Sequence, residues 1–417
     1  MKLKSLEVDT SIELKTTHLF RECSGKMSAM LINRFGINEL ENIMDVVQES
    51  FETALRQWRY KGMPENPEAW LMTVAKNKMI NVLKRQNHLP QTAFVEIGDI
   101  AIATDEAERT DSQLQLLMHI CGAPLSSKSK VIFTLYVLSG FGVAEIANAL
   151  LMNAAAVKKN IFRTKQLLKG TKLSFDGFSR LQLIENIADL HTVLYLLFNE
   201  GYKTTRAKSG LNLDMCYEAI RITQIILKKI GTHGTTNALL ALMFFNVARF
   251  PARISSNLIW ISLAEQDRTL WNQACINEAN YHLNCSREST TVSKYHIEAT
   301  IASIHCFAKD FSSTDWVKII RLYDHLEIIE GKSSLLTLNK IIVLSYYAPT
   351  QQLVEDLAAL EIDLKLKKPF LFYLTKAHVH ALLNEPETSK QNYLLALSHT
   401  RANIDKRYIL HKIGTLV

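Results

Sequence analysis

Residues 153–169 combine a helical pattern with a high density of positive charge. The stretch NAAAVKKNIFRTKQLLK begins with an asparagine and three alanines, then carries five cations among apolar residues, and contains no acidic side chain. At about 100° per residue, Val157, Ile161, Thr164 and Leu168 share one face, which we expect to pack on the preceding helix. The side chains suited to DNA lie opposite this face or flank it: Ala155, Lys158, Lys159, Phe162, Arg163, Lys165 and Gln166.

These residue types suit two different kinds of DNA contact. Arg163 and Gln166 can reach base edges, whereas the lysines can hold phosphates. The alanines let the helix backbone approach a groove without a clash, and Asn153 suits the N-cap. A short helix and a tight turn are predicted just before this stretch, which is the layout of a helix-turn-helix. The alternative is a surface helix whose lysines are solvated.

A second helix with an excess of positive charge is predicted over residues 68–86. No acid occurs from 69 to 95, where three lysines and one arginine stand, and such a local excess is typical of phosphate-facing surfaces. The candidate nucleic-acid contacts at its outer or flanking positions are Lys76, Asn77, Lys78, Asn81, Lys84 and Arg85. The loop YKGMPENP at 60–67 could hold an unstacked base. Asparagine and lysine are also ordinary surface residues, so this pattern alone is not specific.

The helix predicted over residues 39–59 has the opposite charge on its outer face. Its apolar residues form an inner stripe, and the outer positions carry Glu41, Asp45, Gln48, Glu49 and Glu52. Periodicity alone favours a solvated face. The functional alternative is a surface that binds a basic helix of a partner protein.

The elements that must position these residues are helices. Apolar periods of about 3.6 residues dominate and strand signals are nearly absent, so the predicted fold class is all-α. A chain of 417 residues exceeds the size of one hydrophobic core. We expect two small helical domains and a larger helical-repeat-like domain, over 1–88, 113–172 and 176–417, with a linker at 89–112. Within them we predict helices over 17–35, 39–59, 68–86, 127–138, 143–151 and 153–169.

The last part of the chain suggests tetratricopeptide-like helix pairs. Residues 369–400 carry small side chains at Ala377, Ala381 and Ala396, with the spacing that tightly packed helix pairs need. The repeat pattern is weak elsewhere in the C-terminal segment. We therefore expect a helical array with a tetratricopeptide-like end.

Several classes of function are disfavoured by what the sequence lacks. It contains no nucleotide-binding, zinc-protease or serine-hydrolase motif, and no apolar run of about 18 residues that would span a membrane. The six cysteines are scattered, as free thiols in a reducing compartment would be. We predict a cytoplasmic protein that is not an enzyme, with no catalytic residue, cofactor or metal.

Several stretches together resemble a known family. DVVQESFETALRQW and PENPEAWLMTVAKNKMINVLKR look like region 2 of bacterial extracytoplasmic-function (ECF) RNA polymerase sigma factors, and residues 125–168 look like their region 4. HTVLYLLFNEGY, ALMFFNVARFPAR and TDWVKIIRLYDHL resemble the ECF subgroup that has a long C-terminal, tetratricopeptide-like extension.

The resemblance implies roles for these surfaces. Asp45, Gln48 and Glu49 would bind the β′ clamp helices of core RNA polymerase, and the β flap would be a further contact. The 68–86 helix would meet the −10 element of promoter DNA, and the 153–169 helix would read the −35 element. The C-terminal domain would modulate activity, with a regulatory protein or ligand as a possible partner. The alternative function is a helix-turn-helix regulator that does not dock on polymerase.

Overall fold

The computed structural model describes most of the chain. The described residues are 16, 19–20, 23–86, 106–150, 152–169, 179–202, 213–255, 257–400 and 402–416. The predicted linker up to residue 105 and the last three residues of the predicted helix-turn-helix domain, 170–172, lie outside them.

The all-α prediction is confirmed for the described residues, where nineteen α-helices occur and the β interactions are limited to one isolated bridge, Ile254 to Trp260. None of these helices has both the length and the apolar character needed to cross a membrane. The helices of the first half are α1 (23–35), α2 (Leu40–Lys61), α3 (Pro67–Arg85), α4 (Glu106–Gly122), α5 (Ser127–Leu138), α6 (Val143–Ala149), α7 (Ala154–Lys169), α8 (Arg180–Glu185), α9 (Ile187–Tyr202) and α10 (Leu213–Ile230). Those of the second half are α11 (Gly234–Ala248), α12 (Gln273–Cys285), α13 (Lys294–Phe307), α14 (Trp316–Glu330), α15 (Ser334–Tyr347), α16 (Gln352–Lys367), α17 (Pro369–Leu382), α18 (Pro386–Ser398) and α19 (Asn403–Gly414).

The chain divides into two compact units. Unit 1 comprises Met1–Glu200 and Tyr217–Ile230, and unit 2 comprises Gly201–Cys216 and Gly231–Val417. This division is coarser than the segments predicted from sequence, and those smaller boundaries stay predictions.

Helices α1–α3 form the first part of unit 1 around an apolar core. The inner stripe of α2 is buried, as predicted, and includes Ile43, Val47, Phe51 and Trp58. The Trp58 ring lies 5.4 Å from the ring of Trp70 on α3, centroid to centroid. Burying large aromatic side chains at both helices stabilises their antiparallel pairing.

The connection between α2 and α3 is fixed at both ends. Gly62 ends α2 with a φ of 75°, a conformation that L side chains rarely adopt. Asn66 then caps α3, because its side chain accepts a hydrogen bond of 3.0 Å from the backbone N–H of Ala69. Pro67 occupies the first helical position, where its missing N–H is not needed. The predicted loop is therefore held in one conformation.

Helices α4–α7 form the second part of unit 1. Helix α4 begins at Glu106, so the prediction of a linker extending to residue 112 is wrong for residues 106–112. The segment EAERTDS has no apolar period, but it contains strong helix formers and directly precedes an apolar helix. Their helix propensity extends α4 toward its N-terminus. Helix α6 ends at Ala149, two residues earlier than predicted.

A close backbone approach joins these two parts. A Cβ added at Gly25 on α1 would lie 1.6 Å from the carbonyl oxygen of Leu138 on α5, and one at Gly140 would lie 2.2 Å from Oγ of Ser24. Asn33 also donates hydrogen bonds to Ser112 and Gln115 on α4, at 3.2 and 3.4 Å. Glycine is required at position 25 because no side chain fits between α1 and α5.

The parts of α9 and α10 that belong to unit 1, residues 187–200 and 217–230, are joined to it by polar contacts. The Lys130 ammonium donates to the carbonyl oxygen of Cys121 and to Asp189 on α9, the latter at 3.1 Å. Arg221 on α10 donates to Gln113 on α4 at 3.2 Å. These contacts hold residues beyond the predicted helix-turn-helix domain in the same compact body.

Unit 2 is a succession of helices that pack chiefly on their neighbours in sequence. Between α11 and α12 the chain forms an irregular segment, residues 249–272, with two short 3₁₀ turns. At the C-terminal end, α17 and α18 pack closely, and both Ala377 and Ala396 are fully buried, as their spacing predicts. The hydroxyl of Ser389 donates to the carbonyl oxygen of Ala377 at 2.8 Å. The predicted helix pair is present, while the tetratricopeptide class stays a prediction.

Substituting Gly25 tests the close approach of α1 and α5. We expect Gly25→Ala to lower the free energy of unfolding by at least about 2 kcal/mol, because backbone atoms cannot yield to the added methyl group. Gly122→Ala is the matched control, since its Cβ would lie 4.0 Å from the nearest atom, Oδ1 of Asn186. Urea denaturation followed by circular dichroism measures both. Equal stability of the two variants would contradict the described packing.

Candidate nucleic-acid interface

Helix α7 has the orientation that its sequence predicts. Asn153 caps it, accepting a hydrogen bond of 2.8 Å from the backbone N–H of Ala155. Val157, Ile161, Thr164 and Leu168 are all buried, as expected from the period. The helix therefore presents its other face outward.

The exposed face of α7 carries most of the predicted DNA contacts. Phe162 is 56% exposed, an unusual position for a phenylalanine. It lies among cations and a neutral amide, with small residues at the start of the helix. The members of this face, named the α7 surface, are Ala155, Lys158, Lys159, Phe162, Arg163 and Gln166.

Lys165 is the exception, and its predicted exposure is wrong. Its side chain is only 7% exposed, and its ammonium lies 3.2 Å from Oε1 of Glu41, a side chain that is 74% exposed. Lys165 follows Ile161 by four residues, so it borders the buried stripe, and the chain around Glu41 covers it. The ion pair offsets part of the cost of desolvating the lysine.

Helix α3 presents a narrower polar face than predicted. Asn77, Asn81, Lys84 and Arg85 are exposed. Lys76 is buried, so its predicted outward position is wrong. It follows Met72 by four residues and precedes Met79 by three, which places it on the inner stripe.

Lys78 connects the candidate nucleic-acid face to the acidic face of α2. Its ammonium lies 2.8 Å from Oε2 of Glu49, and both side chains retain access to solvent. An exposed pair of this kind contributes only about 0–1 kcal/mol. Either residue can therefore exchange this partner for another at little cost.

The acidic face of α2 is exposed. Asp45, Gln48 and Glu49 are all on the surface, and the Gln48 amide donates to Glu52 at 3.2 Å. Burial raises the pKa of the Tyr136 phenol on α5, and the nearby charges of Asp45 and Glu41 raise it further. The N-terminal part of this face therefore lies beside α5, and the part from Gln48 onward is open.

Two residues that matter for these surfaces were not among those predicted from sequence. Glu41 was assigned only to a general acidic face, although it is the partner of Lys165. Tyr60, at the end of α2, is 90% exposed beside the 62–66 loop. A sequence signal could have identified Tyr60 as a base-stacking candidate. It is an aromatic residue next to a loop with Gly and Pro, and that loop leads into an Asn- and Lys-rich helix.

The described residues hold no cluster of histidine, cysteine and carboxylate side chains that could bind a metal ion. All six cysteines are free thiols. Burial raises the pKa of Cys121 and Cys216 to about 12, which disfavours the reactive thiolate. Neither cysteine has the environment of a nucleophile.

Comparisons with known proteins match two segments of the chain. The sigma-70 region 2 family matches residues 30–88, which include all of α2 and α3. A family of unknown function, DUF6596, matches residues 186–287. An uncharacterized protein of Rhizobium meliloti (strain 1021) is 31% identical over 315 residues, which cover 72% of this chain and 74% of the relative. No solved structure is significantly similar to the chain.

The helical fold and the region 2 match at residues 30–88 point to a sigma-factor-like protein, and region 2 implies binding to core RNA polymerase and a role in transcription initiation. Sigma-70 region 2 families are typically not enzymes. The chain belongs to one family with the Rhizobium meliloti protein. It carries a sigma-70 region 2 segment near its N-terminus and a DUF6596 segment after it.

Adjacent residues on opposite faces of α7 provide a test of its orientation. We expect Phe162→Ala to change the free energy of unfolding by less than about 0.5 kcal/mol, since the ring is largely in solvent. Its neighbour Ile161 is buried, so Ile161→Ala is expected to cost about 2–4 kcal/mol. Thermal and urea unfolding measure both variants. A large loss of stability for Phe162→Ala would show that the ring packs against the protein.

Proposed function

We propose that this protein is an ECF-type sigma factor. It binds core RNA polymerase, directs initiation at promoters through −10 and −35 elements, and carries a C-terminal helical domain that modulates its activity. The observation that supports this most strongly is the surface of the region 2 match. Its two long helices expose an acidic face and an asparagine- and cation-rich face side by side.

The acidic face is proposed as the polymerase-binding surface. Asp45, Gln48 and Glu49 point to solvent from one side of a well-packed helix, so they are held in place before a partner arrives. A basic helix, such as those of the β′ clamp, would complement these charges. Complementary charge increases the association rate and discriminates against wrong partners.

The outer face of α3 is proposed as the −10 contact. Asparagine amides can bond bases, and Lys84 and Arg85 add positive charge at the end of the helix. A melted strand also needs surfaces on which bases stack. The exposed ring of Tyr60 and the capped loop before α3 supply such a surface.

The α7 surface is proposed as the −35 reader. Ala155 lies at the N-terminal end of the helix, where a recognition helix enters the major groove. Arg163 and Gln166 would contact base edges, Lys158 and Lys159 would contact phosphates, and Phe162 would contact a thymine methyl group. The capped and buried inner side fixes the direction of these side chains.

The arrangement of unit 1 restrains these surfaces. Lys165 cannot reach a phosphate while it is paired with Glu41, and Glu49 shares its charge with Lys78. We infer that DNA binding by α7 competes with its contact to the start of α2. Engagement of polymerase along the acidic face would then favour release of α7.

Charge reversal on the acidic face tests polymerase binding. We expect the double variant Asp45→Arg/Glu49→Arg to weaken binding to purified core polymerase by at least about 30-fold, or 2 kcal/mol, because like charges would meet across the interface. Run-off transcription from a cognate promoter should fall in parallel. Glu355→Arg, at an exposed acid of unit 2, is the control and should behave as the original protein.

The same assay separates the two candidate functions. Unchanged binding and transcription in the double variant would favour a helix-turn-helix regulator that acts without docking on polymerase. A chain that ends at Ile230 retains all of unit 1. Equal run-off activity of this shorter chain and the full chain would contradict a modulating role for the C-terminal domain.

Releasing Lys165 should increase DNA binding by the protein alone. We expect Glu41→Gln to raise the affinity for promoter DNA by about five-fold and to steepen the dependence of log K on log salt by about one, because one more phosphate contact forms. Glu52→Gln, another acid of α2, is the matched control. Fluorescence anisotropy over a salt series measures both, and an unchanged slope in Glu41→Gln would contradict the competition.

A further inference from the structure

Unit 2 contains a cavity of about 470 Å³ near the C-terminus. It lies where the irregular segment 249–272 meets α15, α17, α18 and α19, and it is open to solvent on one side. Its size is that of a site for a small organic molecule. Apart from Trp316 and the control residue Tyr347, the residues named below line it.

Three tyrosines give the cavity a polar wall. Burial raises the pKa of Tyr346 and Tyr393 to about 12, and it also raises the pKa of Tyr408. The neighbouring phenols and Glu265 raise the pKa of Tyr408 further, and all three tyrosines line the same cavity. All three are neutral at physiological pH. Within the part of the chain that the structure describes, no hydrogen-bond partner is found for these hydroxyls.

An ion pair between Glu265 and Lys412 stands beside the tyrosines, and most of the acceptor capacity of its carboxylate is already used. Oε1 of Glu265 accepts from the Lys412 ammonium at 2.6 Å, and Oε2 accepts from the hydroxyl and backbone N–H of Ser262 at 2.6 and 3.3 Å. Burial opposes ionisation of Glu265, but these hydrogen bonds lower its pKa overall. Lys412 retains two N–H protons beyond this pair. Its ammonium lies 5.7 Å from the centre of the Tyr408 ring.

His378 adds a buried polar atom that lacks a partner. Its Nε2 is shielded from solvent and makes no hydrogen bond among the described residues. Burial lowers the pKa of His378 to about 4, and Lys412 contributes to this, so the imidazole is neutral. A buried polar atom without a partner costs about 1–3 kcal/mol, which a ligand could recover.

Aromatic packing holds these groups in place before any ligand binds. The Tyr346 ring lies 4.7 Å from the His378 ring and 5.6 Å from the Trp316 ring, measured between centroids. Rings fixed on helices lose little entropy on binding. The lining also includes the apolar residues Leu382, Pro386 and Leu416.

We propose that this cavity binds a small amphipathic carboxylic acid. The groups left available at the polar wall are chiefly donors: three phenols and the free protons of Lys412. Donors around one cation suit the acceptor oxygens of a carboxylate. The apolar body of the acid lies against Leu382, Pro386 and Leu416. A cationic ligand does not fit, because Lys412 already occupies the one carboxylate that lines the cavity.

The binding test uses the full chain labelled with ¹³C at leucine methyl groups. The probes are butyrate, hexanoate, octanoate and benzoate, each compared with its primary amide, at up to about 10 mM, where small fragments bind measurably. We expect at least one acid to shift the Leu382 and Leu416 methyl signals and its amide to bind at least about tenfold more weakly, because the charge-assisted hydrogen bonds are lost.

Two variants locate the site. Lys412→Met and Tyr346→Phe should each weaken binding of that acid by about tenfold or more. Tyr347→Phe is the matched control, since Tyr347 is exposed and does not line the cavity; it should leave binding unchanged. Circular dichroism establishes whether each variant is folded. If Lys412→Met is not folded, Tyr346→Phe alone tests whether the cavity binds the acid.

Three results would overturn the proposal. They are no methyl shift with any acid of the panel, equal affinity for an acid and its amide, and binding that survives Tyr346→Phe unchanged. None of these readouts involves polymerase or DNA, so they are independent of the sigma-factor function.

Discussion

The contact between Gly25 and the carbonyl group of Leu138 is the constraint on which unit 1 depends. Backbone meets backbone there, so α1 and the end of α5 cannot separate slightly and remain packed. Because α1 leads into α2, and α5 and α7 pack on each other, this contact restrains where α7 lies relative to α2. The hydrogen bonds of Asn33 to α4 and the ion pair of Lys165 with Glu41 add to this restraint.

Ion pairs within unit 1 connect the acidic helix α2 to the two helices proposed to bind DNA. Two cations from candidate DNA-binding helices, Lys78 and Lys165, are each bonded to a glutamate of α2. The two pairs differ in strength. The exposed pair is weak and exchangeable. Breaking the other pair leaves the buried Lys165 ammonium without a compensating charge, which is costly. We therefore expect partners that bind α2 to act to different extents on the two surfaces proposed for DNA binding.

The sequence predicts the existence and inner faces of the helices well, because an apolar stripe that must be buried imposes its period directly. The buried stripe from Val157 to Leu168 is confirmed for this reason. The N-cap at Asn153 is also confirmed, because its side chain accepts a hydrogen bond from the first turn of the helix. The predicted exposure of Lys165 is wrong because it borders a stripe, and only the neighbouring element determines whether such a position is covered. That of Lys76 is wrong because its spacing from Met72 and Met79 places it on the inner stripe. The linker prediction was wrong from Glu106 onward, because helix propensity there continues without an apolar period. The cavity of unit 2 joins residues more than 100 positions apart, which no local pattern reveals.

Unit 2 differs in one respect from an open helical array, in which each repeat touches only the next and local unfolding stays local. Arg407 on the last helix donates to the carbonyl oxygens of Asn257 and Leu258, 150 and 149 positions earlier, and Lys412 binds Glu265. These bonds join the end of the array to a segment near its beginning. Fraying of α19 removes contacts from residues 257–265 as well as from α18. The array therefore gains the cooperativity of a closed chain, in which loss of one end contact weakens a segment about 150 positions away in sequence.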